Sequence, residues 1–172
     1  MNKCVFLDRD GVINVDHTEY TYTEEKFVLI EGVVEALQLL KQNGFYLIII
    51  TNQAGISKGL YTAKHVWHLH AILQKACGNV IDALYYCPYH PSVSASIARK
   101  PDSLLFERAI AKFDISPQYS WMVGDRERDL IAAHKVGIPH LVMVENQPAE
   151  HSLANFTAKN LWEATTMYIL KK

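Results

Sequence analysis

The chain has 172 residues, 49% hydrophobic and 20% charged, the balance of a chain that buries a core. Seventeen Lys and Arg face eighteen Asp and Glu, a net charge of −1, which speaks against a basic nucleic-acid footprint or a polybasic membrane patch. Its apolar runs, such as Leu47-Ile48-Ile49-Ile50, are too short to span a bilayer. The first residues lack a signal peptide's apolar core, and three cysteines (Cys4, Cys77, Cys87) cannot form a disulfide framework. A cytoplasmic, reduced protein forming a single domain over residues 1–172 is expected.

Strand-length apolar runs alternate with helical stripes along the chain. Cys4–Leu7 is a short strand ending at Asp8. Glu31–Gln42 places Val34, Leu37 and Leu40 on a helical face and stops at Asn43-Gly44. Phe45–Ile50 is a strand ending at Thr51-Asn52, and Thr62–Cys77 a helix with Thr62 as its cap. Ala83–Tyr86 is a third strand, Ser103–Phe113 a helix, and Ser120–Val123 a fourth strand ending at Gly124-Asp125. Arg128–Val136 is helical, His140–Val144 a fifth strand, and Asn160–Leu170 a closing helix. The alternation predicts an α/β fold: a three-layer, Rossmann-like, mostly parallel sheet with helices on both faces. Ligands of such sheets sit beyond the carboxyl ends of the strands, so Asp8, Thr51, Cys87 and Asp125 are the positions to read for chemistry.

Asp8-Arg9-Asp10-Gly11 places two carboxylates two residues apart after a buried strand. The segment also suits an ordinary turn, but side by side the acids call for a cation, and Mg²⁺ takes such oxygen ligands together with a substrate phosphate. Asp125 is a second acidic strand end, and Asp129 follows it, either as part of the same cradle or as a helix N-terminal acid. Thr51-Asn52-Gln53 offers a hydroxyl, carboxamides and backbone N–H groups to phosphoryl oxygens. In Arg99-Lys100-Pro101, Lys100 is a point charge for phosphate and Arg99 a planar fork for a second anionic or hydroxyl-bearing group.

In chain order, Asp8-Arg9-Asp10-Gly11, Thr51-Asn52, Lys100 and Gly124-Asp125 resemble the four motifs of the haloacid dehalogenase superfamily of phosphatases. That resemblance implies that Asp8 is a nucleophile forming an aspartyl-phosphate and that Asp10 is the general acid and then base. It implies Mg²⁺ bound by Asp8, the Asp10 carbonyl and Asp125, with Thr51 and Lys100 completing the catalytic set. Leu7–Asn14, Thr51–Ile56, Cys87-Pro88-Tyr89-His90-Pro91 and Arg99-Lys100-Pro101 narrow it. Together they look like the D-glycero-D-manno-heptose 1,7-bisphosphate phosphatases and the related histidinol-phosphate phosphatases, which have no cap domain. The substrate implied is a small phosphorylated sugar, met at Asp16, His17, Asn52, Gln53, Arg99 and Arg126, by a monomer or weak dimer with no nucleic-acid or membrane partner.

Two departures stand out. The family loop reading Asp-His-Gly-Tyr is here Asp16-His17-Thr18-Glu19-Tyr20, longer and without glycine. Many members hold a structural zinc on cysteines and a histidine; here Cys87 is kept, while Tyr89, Ser96 and Ala98 stand at ligand positions, so zinc is expected to be absent. His65 and His68 read as a solvated helical pair. A phospho-receiver domain, the rival from another class, is disfavoured because the third strand ends in Cys87 rather than an aspartate.

Overall fold

In the computed structural model, which describes residues 1–144 and 147–171, six strands form one parallel sheet. They are β1 (Cys4–Leu7), β2 (Tyr46–Asn52), β3 (Ala83–Cys87), β4 (Trp121–Gly124), β5 (His140–Val144) and β6 (Phe156–Ala158). Their spatial order is β3-β2-β1-β4-β5-β6, and every pairing is parallel. The helices are α1 (Val33–Gln42), α2 (Ala63–Cys77), α3 (Leu104–Phe113), α4 (Glu127–Lys135) and α5 (Leu161–Ala164). The α/β class and parallel sheet expected from the alternation are what the chain adopts, with most element ends within one or two residues.

Two elements differ from expectation. Asn160–Leu170 is not one α-helix: α5 is a single turn, followed by a wider π-helical turn over Thr165–Ile169. β6 was not anticipated, because three residues carry too little alternation to stand out. It pairs with β5 through Val142↔Phe156 and Val144↔Ala158.

Side chains of a strand alternate faces, and here both faces are covered. Val5, Leu7, Leu47, Ile49, Val123 and Val142 share a buried cluster with residues of α1, α2 and α5. Cys4, Phe6, Ile48, Ile50, Met122 and Leu141 share another with residues of α3 and α4. All four residues of β1 are fully buried, which explains why that strand reads as a continuous apolar run. Asp82 ties the entry of β2 to its surroundings: it accepts the Leu47 N–H at 2.8 Å and the Lys41 ammonium at 2.7 Å.

From the central β1 the chain builds outward in both directions, β2 on one side and β4 on the other. At that switch point the carboxyl ends of β1 and β4 lie side by side, with Leu7 opposite Val123. Asp8 and Asp125 are thereby delivered to the same end of the sheet. Among the described residues no helix is long and apolar enough to cross a membrane.

Phe106 of α3 is fully buried and packs on Phe6 with ring centroids 5.1 Å apart. Phe106→Ala should therefore lower unfolding stability by about 3–5 kcal/mol, read as an earlier urea midpoint at an unchanged m-value.

Candidate active site

The floor of the site is a buried ammonium. Lys100 is 1% exposed, and its Nζ lies 3.0 Å from Asp8 Oδ1 and 2.7 Å from Asp129 Oδ1. The ammonium also donates to the Ile50 carbonyl at 2.6 Å. Burial alone would drive its proton off; Asp129 and Asp8 outweigh that and hold the ammonium above the ordinary lysine range. Asp8 Oδ1 also accepts the Arg9 N–H at 2.8 Å. Both contacts fall on Oδ1, so Oδ2 is the oxygen left for a substrate. Asp129 is fully buried, and its Oδ2 accepts the Arg126 N–H at 3.0 Å, fixing the first turn of α4 to Lys100.

Asp10 leaves the same turn but faces the cavity, its side chain 22% exposed. Three side chains fix its carboxylate. Arg9 donates from Nη2 to Oδ1 at 2.8 Å and Oδ2 at 2.9 Å, Asn14 Nδ2 donates to Oδ1 at 3.0 Å, and Gln53 Nε2 to Oδ2 at 3.1 Å. Arg9 is itself anchored on the Thr21 carbonyl at 2.8 Å.

Asp125 completes the acidic group. Ligand oxygens of Asp8, Asp125 and Asp129 lie within 4.8 Å of one another, all buried. Burial first, and then the charges of Asp8 and Asp129, push the Asp125 carboxyl up to about 7, with Arg126 opposing. Three carboxylates against the Lys100 ammonium and the Arg126 guanidinium leave a negative excess, which a hard divalent cation with oxygen ligands fits. Gly11 keeps the approach clear. Its φ is +84°, and a Cβ there would lie 2.6 Å from Asp125 Oδ2, so only glycine serves.

A cavity of about 530 Å³ opens over these residues, lined also by Asp16, His17, Thr18, Tyr20, Thr51, Asn52, Arg126 and Arg128. Of the residues singled out in the sequence, Asp8, Asp10, Asp16, His17, Thr51, Asn52, Asp125 and Arg126 meet here. Asp16 pairs with Arg126 at 2.9 Å, and the same guanidinium reaches Asp125 Oδ2 at 2.9 Å. His17 Nε2 lies 3.1 Å from the Lys26 carbonyl. Asn52 exchanges hydrogen bonds with the Lys100 backbone, 3.1 Å in each direction, and so pins that segment to the end of β2.

Three residues lie elsewhere than on the cavity wall. Lys100 acts from beneath, through Asp8. Gln53 is 1% exposed and engaged with Asp10, Thr51 and Tyr61. Arg99 donates to the Tyr89 carbonyl at 3.0 Å and lines a separate hollow with Pro91, Ser94, Ser96 and Asp102. In the 87–98 loop Cys87 is fully buried and His90 points outward to Ser92 Oγ, 2.7 Å away. Among the described residues Asp8, Asp125 and Asp129 form the one cluster of three metal-ligating side chains.

Sequence reading passed over Tyr20 and Arg128. Arg128 stands three positions after Asp125 in the first turn of a helix, a spacing that could have placed it on the same rim. Tyr20 gave no signal. It takes a left-handed φ of 65° in the loop that lacks glycine, and its hydroxyl accepts from Lys58 Nζ at 2.8 Å.

Comparison with known proteins agrees with this geometry. A family model described as HAD-hydrolase-like matches residues 97–164. The chain is 38% identical to a D-glycero-beta-D-manno-heptose-1,7-bisphosphate 7-phosphatase of Haemophilus ducreyi over 86% of this chain and 85% of that protein. It is 34% identical to the Helicobacter pylori protein of that name over 94% of each. Among solved structures, the D,D-heptose 1,7-bisphosphate phosphatase of B. bronchiseptica, complexed with magnesium and phosphate, shares the fold. The TM-score is 0.87 at 23% identity, over 99% of both chains. The chain belongs to the heptose-1,7-bisphosphate 7-phosphatase family of HAD-like phosphoric monoester hydrolases.

Proposed function

We propose that the enzyme removes the 7-phosphate of D-glycero-β-D-manno-heptose 1,7-bisphosphate by way of an aspartyl-phosphate on Asp8. The observation that carries this reading is a single cavity lined by Asp8, Asp10 and Asp125 together with Arg126 and Arg128. A nucleophile, a proton carrier and cations for a second phosphate share one wall. The named relatives act on this bisphosphate, and they match along most of the chain.

Asp8 Oδ2 attacks phosphorus, the bond from phosphorus to the sugar O7 breaks, and Asp10 delivers its proton to that oxygen. Asp10 then takes a proton from water as the water oxygen attacks phosphorus. Inorganic phosphate leaves and the Asp8 carboxylate is restored. Lys100, 3.0 Å from Asp8 Oδ1, orients Asp8 for the attack. The Thr51 hydroxyl lies on the cavity wall to donate to a phosphoryl oxygen. Asp8, Asp125 and the Asp10 carbonyl would hold Mg²⁺, which would supply charge neutralisation between the carboxylate and the phosphate.

Arg126 is already paired with Asp16 and Asp125, whereas among the described residues no carboxylate lies within salt-bridge distance of Arg128. Arg128 is thus the wall cation without a carboxylate ion-pair partner among the described residues, and it meets the distal phosphate in this reading, in place of Arg99, which lines a separate hollow.

Asp8→Asn should lower kcat on the heptose bisphosphate by about 10³-fold or more, with Mg²⁺ saturating; turnover near that of the wild type would sink the aspartyl-phosphate reading. Arg128→Ala should raise KM for the bisphosphate about tenfold, with kcat within about twofold, as a lost binding contact does. In thermal melts, saturating Mg²⁺ should raise Tm by roughly 5–10 °C, the effect of a cation that binds only the folded chain. Asp125→Asn should remove most of that increase.

A further inference from the structure

We infer that Tyr61, through Gln53, is a positioning residue that fixes both Asp10 and Thr51 for reaction. The inference rests on the aspartyl-phosphate reading, in which those two side chains work on the substrate.

Gln53 sits at the first turn after β2 with its amide wholly inside the protein. Its Nε2 has two hydrogens, and both have acceptors: Asp10 Oδ2 at 3.1 Å and Thr51 Oγ1 at 2.9 Å. Its Oε1 accepts the Tyr61 hydroxyl at 2.8 Å. The backbone N–H of Gln53 donates to the Cys87 carbonyl at 2.7 Å, which holds the residue to the end of β3. A carboxamide can be turned over without changing its shape. Turned over here, Oε1 would face the Asp10 carboxylate, two acceptors in contact, and Asp10 would lose a donor. The acceptor-only Asp10 carboxylate selects the productive orientation, and in it the Tyr61 hydroxyl donates to Oε1, so that every polar atom of the amide is matched.

Polarity then passes along the chain of bonds. Tyr61 donates to Gln53, and Gln53 donates to Thr51. Because Oγ1 of Thr51 is already accepting, its own hydrogen is directed away from Gln53 and is available to a phosphoryl oxygen in the cavity. The same amide holds Oδ2 of the Asp10 carboxylate together with Arg9, whose Nη2 bridges to Oδ1, where Asn14 also donates.

Tyr61 is built to stay where it is. It is 4% exposed, stacked on Tyr22 at 5.1 Å with an interplanar angle of 12°, and met edge-on by Tyr20 at 6.1 Å. Burial, with Asp10 adding to it and Arg9 opposing, raises its phenol well above the usual range, so the hydroxyl keeps its proton. The backbone of Gly55 lies close to the ring. A Cβ on Gly55 would collide with Tyr61 Cε1, which accounts for a glycine two residues after Gln53.

Tyr61→Phe deletes one oxygen and keeps the stacked ring, and Gly55→Ala displaces the ring by another route. Each should lower kcat on the heptose bisphosphate about tenfold with KM within about twofold, as expected when a general acid is held less well. In single turnovers the phosphorylation step should suffer less with p-nitrophenyl phosphate, whose phenolate leaves without a proton. In a Gln53→Leu background, Tyr61→Phe should have no further effect on kcat, because the tyrosine acts through the amide.

Three results would overturn the inference. KM could rise at constant kcat, which would place Gln53 or Tyr61 on the substrate. The losses could add fully in the double variant, or fall equally on both substrates, as for a structural role alone. Tyr61→Phe could match wild type on both substrates. An inactive Asp8→Asn beside that last result would leave the aspartyl-phosphate reading standing and remove the positioning role alone; an active one would remove the reading itself.

Discussion

The site is organised around one buried ammonium. Lys100 has no solvent to support its charge, so it must be met by protein groups, and the groups that meet it are the nucleophile candidate Asp8, the α4 acid Asp129 and the Ile50 carbonyl of β2. These come from β1, β2 and α4, so a single charge requires those elements to stand in one relative position. Asn52 then fixes the Lys100 backbone to β2 from the other side. Removing any one of these partners would leave a charge or a polar group buried alone, which costs more than the pair contributes when intact. The orientation of Asp8 is therefore a consequence of charge compensation in the core.

That arrangement also divides labour among the acids. Asp8 and Asp125 crowd together with Asp129 at the base of the cavity, where their repulsion and burial favour a cation. Asp10 stands apart, fixed by hydrogen bonds from Arg9, Asn14 and Gln53 and open to the cavity. A proton carrier needs access to the leaving oxygen and to water. A carboxylate that holds Mg²⁺ needs other oxygen ligands crowded beside it and room for water and phosphate oxygens on the ion. In the proposed reading two aspartates from one short turn meet these different demands because Arg9 between them holds Asp10 and Gly11 after them leaves room beside Asp125.

Much of this was legible in the chain. The four buried residues of β1 and the acids at the ends of β1 and β4 are strong patterns, since a parallel sheet buries both faces and its strand ends converge at the switch point. Other features carry no such pattern. Lys100 looks like half of a surface basic pair until the fold closes over it. Gln53 reads as a substrate-facing polar residue, and only the position of Tyr61, eight residues on, shows its amide turned inward. β6 is three residues long, and the π-helical turn after α5 has the same periodicity over five residues as the helix expected there. Arg99 and Arg128 cannot be ranked from sequence, because which of them lines the cavity depends on how the 89–98 loop and the first turn of α4 sit in space.

The loop that departs from its family gives the wall its character. With no glycine in Asp16–Tyr20, Tyr20 itself takes the left-handed backbone, a conformation that costs energy in a residue with a Cβ. Two contacts compensate for it: Lys58 holds the tyrosine hydroxyl, and Tyr61 meets the ring edge-on. At the loop's other end Asp16 takes up one side of Arg126, whose Nε is already on Asp125. The loop is thus linked at one end to the aromatic group that orders Gln53 and at the other to the acidic cradle. A mutation in this loop would therefore also disturb Asp10 or Asp125, whereas Arg128 lines the same cavity without an ion pair to either of them among the described residues.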